Sequence, residues 1–277
     1  MKAIKTILVL FLSASVFGND GAYLTRGGVI YPTVESKISL KKEVLSFSVQ
    51  DKICNVDIVF EFDNPESVER KLLVGFQAPS ATGDVKETIF NTNQIYDFTI
   101  IANGENVQHK LMAAKCADCK LKEPKDIQFT FEQNGVFVYL FEITFRPGKN
   151  QINHSYSFPA SSSVTFDQIY NYILTTGAKW AGGTINDLTV QIDLGPNSDF
   201  YVLDIFGESA NWSVIGDGQV TNKKFDYWGK GFAHIVNIQS GKLQIGVKDF
   251  TPTKNIEFGI VNNHYPFDYV TETLSAD

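Results

Sequence analysis

Cys54-Asn55-Val56-Asp57-Ile58-Val59-Phe60-Glu61-Phe62 decides the fold class. Cys54, Val56, Ile58, Phe60 and Phe62 fall at every second position, with Asn55, Asp57 and Glu61 between them. A strand turns successive side chains to opposite faces, so this pattern predicts a β-strand with one face in a core and one in water. Asp63-Asn64-Pro65-Glu66 follows as a turn, and Leu72, Val74 and Phe76 open a second strand that ends near Pro79. Further on, Ile127, Phe129 and Phe131 alternate before Asn134-Gly135, and Phe137, Tyr139, Phe141, Ile143 and Phe145 alternate after it. Asn-Gly supplies the two positive-φ residues of a tight type I′ turn, which predicts a hairpin closed off by Pro147-Gly148.

The same period recurs to the end of the chain. Ile152, His154, Tyr156 and Phe158 alternate with Asn153, Ser155 and Ser157. Leu188, Val190, Ile192 and Leu194 alternate with Thr189, Gln191 and Asp193, and Leu243-Val247 and Ile256-Ile260 form two further strands. Thr165 to Leu174 reads two ways. Phe166, Ile169, Tyr170 and Ile173 would line a helical face behind a Thr165/Gln168 capping box, whereas Tyr170, Tyr172 and Leu174 suit a strand. A short turn leading into a strand is the reading adopted. Alternating strands belong to sheets wet on one side, which are antiparallel; buried parallel strands read as continuous apolar runs. The expectation is an all-β chain of two tandem antiparallel β-sandwich domains, residues 19–158 and 159–277, parted at the small polar stretch Pro159–Ser163.

The first residues predict export. Lys2 and Lys5 precede the apolar run Ile7–Phe17, and Val16 and Gly18 suit a cleavage site after Gly18. That run is shorter than the ~20 residues a transmembrane helix needs, and no later segment is long and apolar enough, so no membrane span is expected after cleavage. Losing Lys2 and Lys5 takes the net charge from −7 to −9, which disfavours a nucleic-acid partner. The expected location is the periplasm or the exterior.

Three cysteines, Cys54, Cys116 and Cys119, form the reactive inventory. Cys116-Ala117-Asp118-Cys119 could be a redox dithiol, half of a zinc site or a local disulfide. Its flanks, Lys115, Lys120, Lys122 and Pro124, read as a charged loop with no second ligand pair nearby, so a disulfide pinning a loop is expected. Pairing of Cys116 with Cys54 is the alternative, although Cys54 sits on an inward strand face, where a buried inert thiol is expected. His109, His154, His234 and His264 lie in no metalloprotease spacing, there is no Gly-x-Ser-x-Gly elbow, and no metal or cofactor is expected. His154 alternates with core residues. Asp57 and Glu61 read as a solvated face, and Asp217 and Asn186-Asp187 as turns. Trp180, Trp212 and Trp228 could form a sugar-stacking platform, with Tyr227-Trp228 in the most loop-like setting, while core packing is the commoner use of such rings.

Several segments resemble an exported bacterial family known only as domain of unknown function 4424. They are Asn19-Asp20-Gly21, Gly27-Gly28-Val29-Ile30, Ile38, Lys42-Glu43-Val44-Leu45, and the run through Phe60, Phe62, Asn64, Phe76 and Pro79. Tyr172 to Trp180 (Thr175-Thr176-Gly177-Ala178-Lys179-Trp180 within it) and Lys248-Asp249-Phe250-Thr251-Pro252 are similar to later parts of the family. The opening is also similar to exported proteins that carry a Tyr-Ala-Arg-His-Gly domain, a motif absent here. The resemblance implies export and a β-rich fold, and brings no reaction, ligand or catalytic residue.

The function expected from these readings is a non-enzymatic, exported protein binding an unknown envelope protein or glycan. The alternatives are a carbohydrate-binding module using Tyr227 and Trp228, and an enzyme, either thiol-redox at Cys116/Cys119 or hydrolytic.

Overall fold

The protein was analysed as a computed structural model, which describes residues 26–28, 31–32, 36–79, 92–115, 120–127, 136–207, 211–225, 231–262 and 271–273. Strands dominate them, and the helical elements described are the 3-10 turns Pro124–Asp126 and Thr175–Lys179. Among the described residues no helix is long and apolar enough to cross a membrane.

The decisive stretch lies in β4 (Ile53–Asn64), paired with β3 (Ser39–Gln50) across a two-residue turn. Asp51 and Lys52 both take positive φ there, 51° and 63°, the twist a tight hairpin needs. Cys54, Val56, Ile58, Phe60 and Phe62 are each at most 1% exposed, whereas Asn55 and Asp57 face water. Glu61 on that outer face is ion-paired with Lys149.

The described strands form two sheets. The smaller runs β2 (Tyr31–Pro32), β5 (Arg70–Pro79), β9 (Val136–Phe145), β8 (His109–Ala114). The larger, of 13 strands, begins with β1 (Arg26–Gly28) and passes through β11 (Phe166–Ile173), β16 (Ile256–Val261), β13 (Ser198–Leu203), β15 (Gly231–Phe250) and β12 (Ile185–Asp193). It continues through β3, β4, β10 (Gly148–Pro159) and β6 (Tyr96–Ala102) to β7 (Glu105–Asn106), while β14 (Ser213–Phe225) joins β15 and β17 (Thr271–Thr273) joins β14.

The small sheet lies face to face on one end of the large one. Phe76 is 5.2 Å from Phe98 and 4.9 Å from Tyr156, and Phe62 is 5.6 Å from Phe145. At the other end the large sheet curls over itself. Phe47 of β3 meets Phe258 of β16 at 5.0 Å and Tyr172 of β11 at 5.6 Å, although several strands separate them in the sheet. One hydrophobic cluster runs through both ends.

Two expectations are corrected, on strand direction and on the turns at Asp217 and Asn186-Asp187. The pairing is not antiparallel throughout: β12 runs parallel to β3, from Asp187↔Lys42 to Asp193↔Ser48, and β1 runs parallel to β11. The polar stretch Pro159–Ser163 is tied into the sheet by backbone hydrogen bonds. Pro159 ends β10, Ala160 N–H donates to Lys52 O (2.7 Å), and Ser161, 0% exposed, exchanges two backbone hydrogen bonds with Ile169. Asp217 sits at a bulge inside β14, and Asn186 and Asp187 lie inside β12, none of them in a turn. Residues 166–173, ambiguous in sequence, are strand β11, and the expected hairpin tip at Asn134-Gly135 lies outside the described residues.

Candidate functional site

A cleft of about 820 Å³ opens where the chain crosses from the large sheet to the small one. The crossing begins at Asn103-Gly104 (φ 51° and 87°), a two-residue turn that pairs Ala102 with Glu105 and Ile101 with Asn106. From there residues 105–110 run over into β8, forming one wall. Glu69, Lys71 and Leu73 of the β5 side, Leu140 to Thr144 of β9 and Arg146 form the other. Phe141 and Ile143 are buried beneath the opening, and Leu73 is 42% exposed within it, so the lining mixes apolar and polar groups.

Charged groups pair around the rim. Lys71 Nζ is 2.9 Å from Glu142 Oε1, Arg146 Nη2 is 3.3 Å from Glu105 Oε1, and Lys110 pairs with Glu123. All these side chains are substantially exposed, so each pair contributes at most ~1 kcal/mol. The two walls are tied by Asn150, which is fully buried. Its Oδ1 accepts from Arg146 N–H (2.8 Å) and Asn103 Nδ2 (2.9 Å), and its Nδ2 donates to the carbonyls of Arg146 and Gly148, both at 2.8 Å. Every hydrogen-bonding site of this amide is used, which fixes the position of Arg146 relative to the turn.

His109 lies at the edge of the cleft against Phe98 (4.8 Å) and Tyr139 (5.3 Å), and partial burial lowers its pKa. Behind Phe98 lies His154, 2% exposed, whose Nδ1–H donates to Thr99 O (2.8 Å). Burial pushes its pKa down to about 4, so it is a neutral core histidine with Nε2 unpartnered. Deeper in the core, Glu43 is 0% exposed. Tyr172 O–H donates to its Oε1 (3.0 Å), Oε2 and the Tyr156 hydroxyl have no partner, and burial raises the carboxyl pKa to about 8. Glu43 is in phase with Leu45 and Phe47 in sequence. That phase is the signal by which the interior carboxylate could have been found.

The residues singled out from sequence do not converge on the cleft. Cys116, Cys119, Tyr227 and Trp228 lie outside the described residues. Cys54 is a free, buried thiol whose pKa burial raises well above its usual value. Trp180 and Trp212 are 2% and 7% exposed, so neither offers a stacking platform. Trp180 is instead wedged against Phe62 (4.4 Å) and Phe145 (5.8 Å). Among the described residues no three of His, Cys, Asp and Glu gather as a metal site would require. The cleft residues themselves escaped sequence reading, although Asn103-Gly104 carried the same turn signal as Asn134-Gly135.

Fold and cleft together define a two-sheet all-β protein with an open, mixed-charge groove at the junction of its sheets. Over residues 18–137 the chain matches the family described as Domain of unknown function (DUF4424). The later segments that resemble the family, Tyr172–Trp180 and Lys248–Pro252, lie beyond the matched residues. No curated protein matches the chain. Among solved structures, it is similar to a candidate nutrient-binding protein from Legionella pneumophila, with 18% identity and a TM-score of 0.57 over 87% of this chain and 73% of that one. At that identity the likeness is one of fold.

Proposed function

We propose that this is an exported, non-enzymatic protein that binds a partner at the cell envelope, and that the cleft between the two sheets is the seat of binding. The observation that carries the reading is the cleft's make-up, exposed apolar surface such as that of Leu73 set among exposed ion pairs. Its size falls within the ~300–1,000 Å³ of small-molecule sites, and weak surface pairs exchange readily for contacts to a ligand. A partner with an apolar body and charged ends, such as a peptide segment of an envelope protein, fits that lining. The nutrient-binding description of the Legionella protein supports a binding role. Lys2, Lys5 and the apolar run after them support export to the periplasm or beyond. The absence of a catalytic signature in the sequence and the ion-paired state of the rim carboxylates favour binding over turnover.

Site-specific photo-crosslinking in intact cells tests this. A crosslinker at Gln108, on the exposed wall, is expected to capture a discrete product, and one at Asp57, on the outer face of β4, is not. Products of equal yield from both positions, no product from Gln108, or sustained turnover of a peptide, ester or glycan by the purified chain would overturn the reading.

A further inference from the structure

The two walls of the cleft between the sheets are strands that part company. Among the described residues β8 pairs with β9 only as far as His109↔Phe141, whereas β9 goes on pairing with β5 to Arg70↔Phe145. Glu142 to Phe145 therefore have β5 on one side and no described strand on the other. The chain that would cover them, residues 105–108, turns away to the large sheet. Glu105 and Asn106 pair with β6, and Val107 N–H donates to Ile100 O (2.9 Å). The cleft of about 820 Å³ is the gap this leaves, and Glu142, Ile143 and Thr144 line it.

Strand pairing fixes which backbone groups point into that gap. Ala113 of β8 exchanges two hydrogen bonds with Lys122, both 2.8 Å, on the side away from β9, so it exchanges none with Phe137 opposite it. Hydrogen-bonding direction alternates along an antiparallel strand, and the ladders of β9 with β8 and with β5 run without a shift. In β9 the odd-numbered residues thus bond to β5, and the even-numbered ones point toward β8. Pro32, which has no N–H, agrees with this phase. It falls opposite Val74, whose own groups are directed to β9. Beyond the end of β8, the even-numbered residue over the gap is Thr144, which is exposed. Its N–H and C=O point into the cleft with no hydrogen-bond partner among the described residues. On the opposite wall Val107 faces β6, so Asn106 turns its own N–H and C=O away from β6, and it too lines the cleft.

We propose that the partner enters this cleft as an extended peptide segment and adds a short strand to the open edge of β9, in line with β8. The inference rests on the cleft being the seat of binding, and it specifies how the partner is held there, by its main chain. An unpaired strand edge is a template for another backbone. Strand addition draws affinity from main-chain hydrogen bonds and selectivity from the side chains between them. The overhang Glu142–Phe145 spans about 13 Å at ~3.3 Å per residue, so about three to four residues of the peptide pair directly. Thr144 offers that strand one donor and one acceptor. Paired residues in a sheet share a face, so peptide residues opposite Glu142 and Thr144 stand on the same face as Leu73 and Lys71. The gap is walled on its other side by residues 105–110, and it therefore admits a single extended chain rather than the edge of a second folded copy.

Displayed random heptapeptides selected on the whole chain supply the probe, and hydrogen exchange at the Thr144 amide supplies the readout. A selected peptide is expected to slow that exchange about tenfold or more. Methylating its backbone nitrogens at alternate residues is expected to weaken binding about tenfold, since each methyl removes a main-chain donor. Thr144→Pro removes an N–H that the fold does not use and is expected to abolish binding, while Thr144→Val keeps that N–H and is expected to bind as the wild type does. The exchange and methylation measurements use the unaltered chain, so they decide the matter even if Thr144→Pro fails to fold. The Gln108 crosslink separates the two readings. A product from Gln108 that a folded Thr144→Pro chain leaves at full yield would overturn strand addition and keep the cleft as the seat of binding, whereas no product from Gln108 would remove both. No selected peptide, a bound peptide that leaves Thr144 exchanging as before, or binding indifferent to methylation would each overturn the proposal. So would a dimer of the chain that Thr144→Pro dissociates, which would put a second copy in the gap.

Discussion

Glu43 and His154 are two ionisable side chains in one apolar interior, held neutral by the same desolvation, and their effects on stability oppose each other. Glu43 has its pKa raised from 4.5 to about 8, so the unfolded chain ionises first and stability falls as pH rises through that window, by on the order of 5 kcal/mol. His154 has its pKa lowered from 6.5 to about 4, so its contribution is present above pH 6.5 and is lost as pH falls toward 4, by on the order of 3 kcal/mol. Between pH 4.5 and 6.5 the two slopes cancel. From pH 6.5 to 8 only the Glu43 slope remains, and the wild type is expected to lose roughly 2 kcal/mol there. Glu43→Gln keeps an acceptor for the Tyr172 hydroxyl and removes the ionisation, so it is expected to abolish that loss and to be several kcal/mol more stable at pH 8. Urea unfolding at a series of pH values checks this. A wild-type midpoint that is level from pH 6.5 to 8.5 would mean that Glu43 is already charged or hydrated.

Among the elements, the β14–β15 hairpin shows where local geometry overrides side-chain pattern. β15 pairs with β13 through Ala233–Ile238 and with β12 through Leu243–Phe250, so it changes partner midway while β14 follows it along the other side. Near that change two glycines face the opposite strand's backbone. A Cβ on Gly241 (φ 95°) would lie 1.9 Å from Ile215 O, and one on Gly216 (φ 128°) 2.2 Å from Ser240 O. Gly241→Ala therefore meets both a forbidden contact and an unfavourable backbone, and is expected to cost roughly 2–4 kcal/mol. A chemical-denaturation midpoint shifted by less than a few tenths of that would show that the strands can separate without loss. Strands such as β4 were legible because one face is dry: the residue types at 54, 56, 58, 60 and 62 and their burial agree position by position. Most of β14 was not legible, since Ser213 to Lys224 is largely exposed and leaves no alternation to read. The cleft was invisible for a different reason. Its pairs, Lys71 with Glu142 and Glu105 with Arg146, join residues dozens of positions apart, so no spacing within a short window reports them. Asn150, which positions the rim, resembles any other polar residue of an alternating strand until its partners are known.

For the whole molecule, the question is whether residues 19–158 and 159–277 are separable units. The parallel ladder between β3 and β12 is a strand pairing made wholly across that division, and it is the link by which the large sheet continues from one half into the other. Trp180, from the second half, fills the space between Phe62 and Phe145 of the first. Ala181 N–H donates to Ile38 O (2.9 Å) beside it. Cutting the chain after residue 158 would leave β3 with an open edge along Lys42–Ser48 and bare the apolar surface that β11, β16 and Trp180 cover. Unpaired edges and uncovered aromatic faces of this kind drive aggregation. A fragment of residues 19–158 is therefore expected to lack a cooperative unfolding transition and to bind hydrophobic dyes, while the intact chain unfolds in one step. Trp180→Ala isolates the packing part of the link without exposing a strand edge, and is expected to cost about 3–5 kcal/mol. The decisive measurement is calorimetry of the intact variant. If the halves depend on one another, Trp180→Ala moves a single transition to lower temperature, whereas two transitions, only one of them shifted, would mean that each half holds a core of its own.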